Sequence, residues 1–348
     1  MSKSNRLGVI GGGQLGSLLC AAAKKLKVET IVISDDKDGP AQKFCDHFIY
    51  SKYEDNERLK EFISKVDVVT YEFENIPINF LNLIEKKKKV LPYPKINKVA
   101  QNRKLEKTFV NDLGINTTNW VYIKSAEDIK KNQQLLPGIL KSNTLGYDGK
   151  GQFFINSLDD IKQDWCFTSD YILEKKVNLK KEISVIIARY IDGTLSYYEP
   201  IENVHKNQIL YKSKIPADIS EKIFKDAINN AKKIAENFSY IGVLTVEFFI
   251  TENDELLVNE IAPRFHNSGH LTIEAFNISQ FENHVRCVCD LKSKSIEKIS
   301  NAEMYNILGF EIQNFKKKTF KKKEFFHDYF KKEPREGRKM GHLTILKD

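Results

Sequence analysis

Cysteine is scarce in this chain. Cys20, Cys45 and Cys166 stand far apart, and Cys287 and Cys289 are separated by one residue. An odd number of thiols with no CxxC pair argues against a disulfide framework or zinc module and suggests reduced thiols, mostly core filler. Long apolar runs are missing too: none approaches the ~20 residues that span a bilayer. The first strand-like segment begins by Arg6, leaving no room for a secretory leader with its own apolar core. The expectation is a cytoplasmic protein without membrane contact. Internal repeats and low-complexity linkers are absent, and so is any acidic excess: Lys+Arg 55 against Asp+Glu 47 gives a net charge of +8. That excess sits in "EKKKKV" and "FKKKTFKKKEFF". The second cluster has phenylalanines but no nucleic-acid reader motif, so both read as solvated helix or strand edges, with no nucleic-acid partner expected. A positive balance also suits small anionic substrates.

What is present is a regular alternation. "RLGVIG" runs into a glycine knot and a stretch with Leu15, Leu18, Leu19, Ala22 and Leu26 at helical spacing. "ETIVIS", "NERLKEFISKV", "DVVTYEF", "PINFLNLIEKKKK" and "VLPY" continue strand, helix, strand, helix, strand. Such alternation predicts parallel strands with crossover helices, a doubly wound unit of about 95 residues. The middle is different: a charged helix, "NKVAQNRKLEKTFVNDLG", ends at Gly114 and is followed by a hairpin across Gly146, Gly149 and Gly151. Strands in "YILEKKV", "KEISVIIARYIDG" and "TLSYYEPI", a long helix "ISEKIFKDAINNAKKIAENFS" and a second hairpin complete an α+β pattern. The stretch from Ala302 is short, strand-like and basic.

Five places can carry chemistry. The turn in "GGGQLG" exposes backbone N–H groups at a helix N-terminus, where a phosphate can sit. In "GVLTVEFFITENDELLVNEIAPR", a two-residue Asn253-Asp254 turn sets Phe249 opposite Val258 and Glu247 opposite Glu260. Two facing carboxylates repel unless water screens them or a divalent cation joins them. The "GYDGKG" loop after Lys141 can close over phosphates, although the P-loop order is missing and a plain flexible hairpin is an equal reading. "NEIAPRFHNSGH" gathers Arg264, His266 and His270, but Pro263 and Ser268-Gly269 argue for a loop and against a helical metal pair; Arg264 and His266 suit an anion. "TYEFEN" ends a parallel strand, where Glu72 or Glu74 can meet a substrate amine or simply lie near a helix N-terminus.

Taken together, "GGGQLG", "YEFEN", "LKSNTLGYDGKGQ", "VEFF", "NEIAPRFHNSGH" and "REGRKMGH" resemble, in order and spacing, the 5-(carboxyamino)imidazole ribonucleotide synthase family of ATP-grasp ligases. The resemblance spans nearly the entire chain and departs at Glu336, where the family pattern has proline. It implies a doubly wound domain over 1–98, an ATP-grasp domain over 99–290 and a small β-rich domain over 291–348. The implied reaction joins bicarbonate to the exocyclic amine of 5-aminoimidazole ribonucleotide, using ATP with Mg²⁺, or Mn²⁺ as the alternative ion, in a homodimer. Arg103, Lys141, the Gly146, Tyr147, Asp148, Gly149, Lys150, Gly151, Gln152 loop, and His205 would then contact ATP. The backbone of Glu174, Lys175, Lys176 and Val177 would line adenine, and Glu182 would hold the ribose. Glu247 and Glu260 would carry the metal, and Asn259 would join the nucleotide site through a bulge. Gln14, Leu15, Glu72, Lys331, Arg338 and Lys339 would meet the ribonucleotide. Tyr147, Asp148, Lys150, Arg264 and His266 would surround bicarbonate and the reacting amine.

Other readings stay in view. A formate-dependent glycinamide ribonucleotide transformylase shares the ATP machinery, and a non-catalytic nucleotide or RNA binder would use the lysine clusters. A nicotinamide dehydrogenase would need Asp35 as its ribose acid, but no hydride-transfer domain follows.

Overall fold

Short apolar segments separated by amphipathic helices fold as parallel strands, the central ones buried on both faces. In the computed structural model, which describes residues 6–144, 151–161 and 170–347, five of them open the chain: β1 (Arg6–Ile10), β2 (Glu29–Ser34), β3 (His47–Tyr50), β4 (Val68–Tyr71) and β5 (Lys89–Val90). All pair in parallel in the order β3-β2-β1-β4-β5. Helices α1 (Gln14–Lys25), α2 (Asn56–Lys65) and α3 (Ile78–Glu85) cross between them. This is the doubly wound unit that the alternation predicts, with one strand more: β3, half-exposed at the sheet edge, carries too short an apolar run to announce it.

The charged helix predicted as one piece is two, α4 (Pro94–Ala100) and α5 (Arg103–Asp112). Asn102 breaks it. Its backbone is extended, its side chain accepts the Leu105 N–H at 3.0 Å, and it bridges to Thr144, as an N-cap residue does. The following antiparallel sheet holds β6 (Trp120–Ile123), β7 (Gly138–Ser142), β8 (Gln152–Ile155) and β9 (Tyr171–Lys175) in the order β6-β9-β7-β8, with α6 (Ala126–Lys131) beside it.

The largest sheet contains β10 (Leu179–Arg189), β11 (Leu195–Tyr197), β12 (Ile201–Lys206), β13 (Ile209–Ile215), β14 (Gly242–Thr251) and β15 (Leu256–Ala262). The C-terminal strands β16 (Asn301–Leu308), β17 (Glu324–Asp328) and β18 (Lys339–Lys347) extend this sheet through β13 rather than closing a separate one. Helix α7 (Glu221–Asn237) covers one face. Ile223, Ala227, Ile228, Ala231 and Ile234 form its buried stripe, and each isoleucine contributes roughly 1.5–3 kcal/mol of burial. The phenylalanines of the basic tail segment, Phe315, Phe320 and Phe326, pack on one another while Lys316, Lys317, Lys318 and Lys321 point to solvent. Cys20, Cys45, Cys287 and Cys289 are free thiols; Cys166 lies outside the described residues. Among the described residues, no helix is long and apolar enough to cross a membrane.

Short α8 (Thr272–Ala275) and α9 (Gln280–Val288) join the first unit to the large sheet, with α9 packed against α1. At this junction His284 is fully buried. Its Nδ1 accepts the Val243 N–H at 3.0 Å, which puts the ring proton on Nε2, facing Thr70 Oγ1 at 2.8 Å. Burial pushes its pKa down to about 3, whereas an unfolded histidine titrates near 6.5. Below pH 6.5 the unfolded chain therefore binds a proton that the folded chain refuses. The stability this histidine confers is complete above that pH and declines toward pH 3, by about 2 kcal/mol at pH 5. The melting temperature should fall between pH 7 and pH 5, and fall less in His284→Gln.

Candidate functional site

The second hairpin places Glu247 of β14 directly opposite Glu260 of β15. Its tip differs from the two-residue turn expected: Thr251 N–H donates to Glu255 O at 3.0 Å, enclosing three residues with Asp254 at φ +60°. The longer tip moves the register by one, so Phe248 rather than Phe249 opposes Val258. A bulge at Asn259 moves it back, which is why the two glutamates still meet.

Glu247 Oε1 lies 2.8 Å from His266 Nε2, and Glu260 Oε2 lies 3.6 Å from Arg103 Nη1. His266 Nδ1 accepts the Ser268 N–H at 3.3 Å, so the ring proton is on Nε2, toward Glu247. Burial opposes both carboxylate charges. His266 overcomes it at Glu247 and holds that pKa low, whereas burial and the facing Glu247 push Glu260 up. Two hard oxygen donors on one face, one disfavoured as an anion, form a set that Mg²⁺ fits and would relieve.

Next to this pair Lys141 and Glu174, which the resemblance assigned to ATP and adenine, meet in a buried ion cluster with Lys107, which no motif indicated. Glu174, 2% exposed, stands 3.0 Å from Lys141 Nζ and 3.2 Å from Lys107 Nζ, and accepts the Thr118 hydroxyl at 2.8 Å. Burial opposes its charge, but the two ammonium groups override it and hold the pKa at about 2. Glu106, one turn before Val110 on α5, accepts the Ile261 N–H at 2.6 Å; burial and Glu260 push its pKa up to about 8. Arg103, Glu106, Lys107 and Val110 form the buried face of α5. The signal was available: charged residues at the spacing of an apolar stripe.

Arg264 is held by Glu74, which takes its Nη2 at 3.0 Å and its Nε in a second, shorter bond. Gln280 fixes the His266 backbone from both sides, accepting its N–H at 2.9 Å and donating to its carbonyl at 2.6 Å. Of these supports, sequence reading singled out Glu74 alone, and as a group for an amine.

The glycine turn corrects a prediction. Its donors are not bare: Glu72, 6% exposed, accepts the N–H groups of both Gly13 and Gly16. Gly11, at φ +100°, passes so close that a Cβ there would lie 2.5 Å from Glu72 Cγ. Gln14 contacts His270 Nε2 at 3.1 Å and accepts from Lys331 Nζ at 3.0 Å, so the turn touches the C-terminal segment. Lys331 also donates to the Lys339 carbonyl at 2.6 Å, and Arg338 to the Glu333 carbonyl at 2.8 Å. Leu15 is half-buried against the core.

A groove of about 260 Å³ is lined by Leu179, Glu182, Asn203 and His205 among others. His205 Nδ1 is 3.1 Å from Glu182 Oε2 across the β10–β12 pair. On the facing sheet, Lys175 and Lys176 give their backbone N–H groups to Asn119 and Pro137, and Val177 follows at the sheet's exit. Gln152 pairs with Lys141, and the Gly151 carbonyl accepts the Ser142 N–H at 2.8 Å. Gly146, Tyr147, Asp148, Gly149 and Lys150 lie outside the described residues.

Comparison with known proteins agrees along the chain. Residues 4–101 match a ribonucleotide synthetase preATP-grasp domain, 108–281 an ATP-grasp domain, and 302–348 a phosphoribosylaminoimidazole carboxylase C-terminal domain. N5-carboxyaminoimidazole ribonucleotide synthase of Brucella melitensis is 39% identical, covering 100% of this chain and 98% of that protein. A Staphylococcus aureus N5-carboxyaminoimidazole synthetase solved with ADP superposes with a TM-score of 0.93 at 36% identity, over 100% of this chain and 94% of that one. The Aspergillus clavatus synthase, solved with ADP and 5-aminoimidazole ribonucleotide, gives 0.91 at 29% identity, over 100% and 95%. Three domain matches in sequence and full-length relatives above 35% identity place this chain in the N5-carboxyaminoimidazole ribonucleotide synthase family of ATP-grasp ligases.

Proposed function

We propose that this chain carboxylates the exocyclic amine of 5-aminoimidazole ribonucleotide with bicarbonate and ATP, yielding 5-(carboxyamino)imidazole ribonucleotide, ADP and phosphate. The observation that carries this reading is the facing Glu247–Glu260 pair, bounded by Arg103 and set beside Arg264 and His266.

A bicarbonate oxygen attacks the γ-phosphorus of ATP, the bond to the β,γ-bridging oxygen breaks, and ADP leaves. The substrate amine then attacks the carboxyphosphate carbon, phosphate departs and the nitrogen loses a proton. Neither step needs a covalent enzyme intermediate; positioning and charge neutralisation suffice. Lys141 and Arg103 would supply the cations that transferring phosphates need, and Arg264, oriented by Glu74, would offer a planar donor fork to a carboxylate. Glu247 and Glu260 would hold Mg²⁺ or Mn²⁺, which supplies Lewis-acid stabilisation of phosphoryl oxygens. Glu182 and His205 would take the ATP ribose and the strand exit at 174–177 the adenine, with Asn259 beside them. Gly146 to Gln152 would close over the phosphates, and Tyr147, Asp148 and Lys150 would stand with His266 at the bicarbonate. Gln14, Leu15 and Glu72 would face the ribonucleotide, with Lys331, Arg338 and Lys339 around its phosphate. A cytoplasmic homodimer is the assembly this family membership suggests.

The test is ADP release with ATP and Mg²⁺, with and without 5-aminoimidazole ribonucleotide and bicarbonate. The expected result is release that rises with the ribonucleotide and yields an acid-labile carboxylated product. Stimulation by glycinamide ribonucleotide and formate instead would reassign the substrate.

A further inference from the structure

A second set of metal-ligating side chains lies away from the carboxylate pair, where α8 meets the C-terminal strands. His327 of β17 and His342 of β18 are direct cross-strand partners, their rings stacked with centroids 4.5 Å apart. Glu274 of α8 reaches over them, its Oε1 2.7 Å from His327 Nε2. One donor atom from each of the three lies within 4.8 Å of the others.

Two polar atoms of these side chains have no partner. His342 is fully buried and its Nε2 has no hydrogen-bond partner; Glu274 Oε2 is buried and equally alone. A buried polar atom without a partner is unfavourable, and both belong to side chains of this one cluster. The rest of the cluster is arranged for a ligand. Tyr329 Oη sits 2.8 Å from His342 Nδ1. It can receive that N–H and leave the Nε2 lone pair free, as outer partners do for ligating histidines. His270, whose ring centroid is 5.1 Å from that of His342, is already engaged through Nδ1 with Gln280 and through Nε2 with Gln14.

We infer that Glu274, His327 and His342 form a binding site for a transition-metal ion of the Zn²⁺ class, tying the ATP-grasp segment to the C-terminal strands. Two imidazole nitrogens and one carboxylate oxygen suit Zn²⁺ or Co²⁺ and not Mg²⁺. Bonds of ~2.0–2.1 Å require the donors to draw closer than they stand. His327 can supply that movement, being 28% exposed on the edge strand, and water can fill the remaining position from the same side. The ion would replace the Glu274–His327 hydrogen bond.

The experiment is a Co²⁺ titration of the chelator-treated full-length chain in excess Mg²⁺, followed by visible absorption and elemental analysis. One equivalent should bind with the intense d–d bands of a four- or five-coordinate nitrogen site, and Zn²⁺ should displace it while raising the melting temperature. His327→Gln should weaken binding by at least the ~10–100-fold that loss of an outer-shell partner costs. Absence of those bands in the wild-type chain overturns the inference. So does binding that survives His327→Gln but is lost in Glu247→Gln, because the ion then belongs to the carboxylate pair.

Discussion

Glu260→Gln is expected to lower ATP turnover by about 10³-fold or more, since the metal's stabilisation of phosphoryl charge is worth several kcal/mol and each 1.36 kcal/mol is tenfold. The amide keeps the size of the side chain and a neutral oxygen, but it cannot neutralise a divalent cation. Stability should move the other way. Glu260 faces Glu247 across the ladder, and burial together with that neighbour already disfavours its charge. Removing the charge removes a repulsion, so the melting temperature should hold or rise although the contact to Arg103 is lost. ADP release at saturating Mg²⁺ and a thermal melt on the same preparation check both halves. Turnover within about tenfold of wild type would show that Glu260 does not hold the metal.

Glu174→Ala is the largest expected loss of stability. The carboxylate lies between the Lys107 and Lys141 ammonium groups, with all three side chains nearly inaccessible. Breaking a buried ion pair by deleting one partner costs about 3–5 kcal/mol, because the other charge remains buried and uncompensated; here two like charges remain. Denaturant unfolding should show that loss at neutral pH. Adding Lys107→Met to the alanine variant should recover part of it by removing one of the stranded cations, a coupling that a double-mutant cycle measures. The pH dependence has a definite sign. With its folded pKa held at about 2 by the two lysines against the cost of burial, Glu174 stabilises fully above the unfolded value near 4.3. That contribution is lost as pH falls toward 2. A variant as stable as wild type would mean that the two ammonium groups reach water.

The parallel sheet was legible because its signals are local. Each strand is an apolar run, each helix has its own stripe, and short connections leave one arrangement that buries both. The Glu247–Glu260 pair was legible by counting, yet the count assumed a regular hairpin. The structure has an extra tip residue and a bulge at Asn259, whose displacements cancel. Strands β12 and β13 escaped because their connection, Asn207-Gln208, has both residues at positive φ without the glycine that usually advertises such a turn. The supporting charges were hidden for another reason. Glu74 and Arg264 are 190 residues apart, and no local pattern encodes that meeting. Lys107 and Glu106 could have been found, since both fall on the stripe that α5 turns inward.

The carboxylate lodged in the first turn of α1 changes what this fold discriminates against. A turn of this shape ordinarily presents positive potential, and nucleotide pyrophosphates are captured there through backbone amides. Here the chain supplies its own acceptor: Glu72 occupies the Gly13 and Gly16 donors from 56 to 59 residues away. An incoming pyrophosphate would find those two donors taken instead of a vacant cradle. The domain keeps the topology of a dinucleotide binder with its mouth filled from within, its Gly13 and Gly16 donors already spent on a side chain just beyond β4.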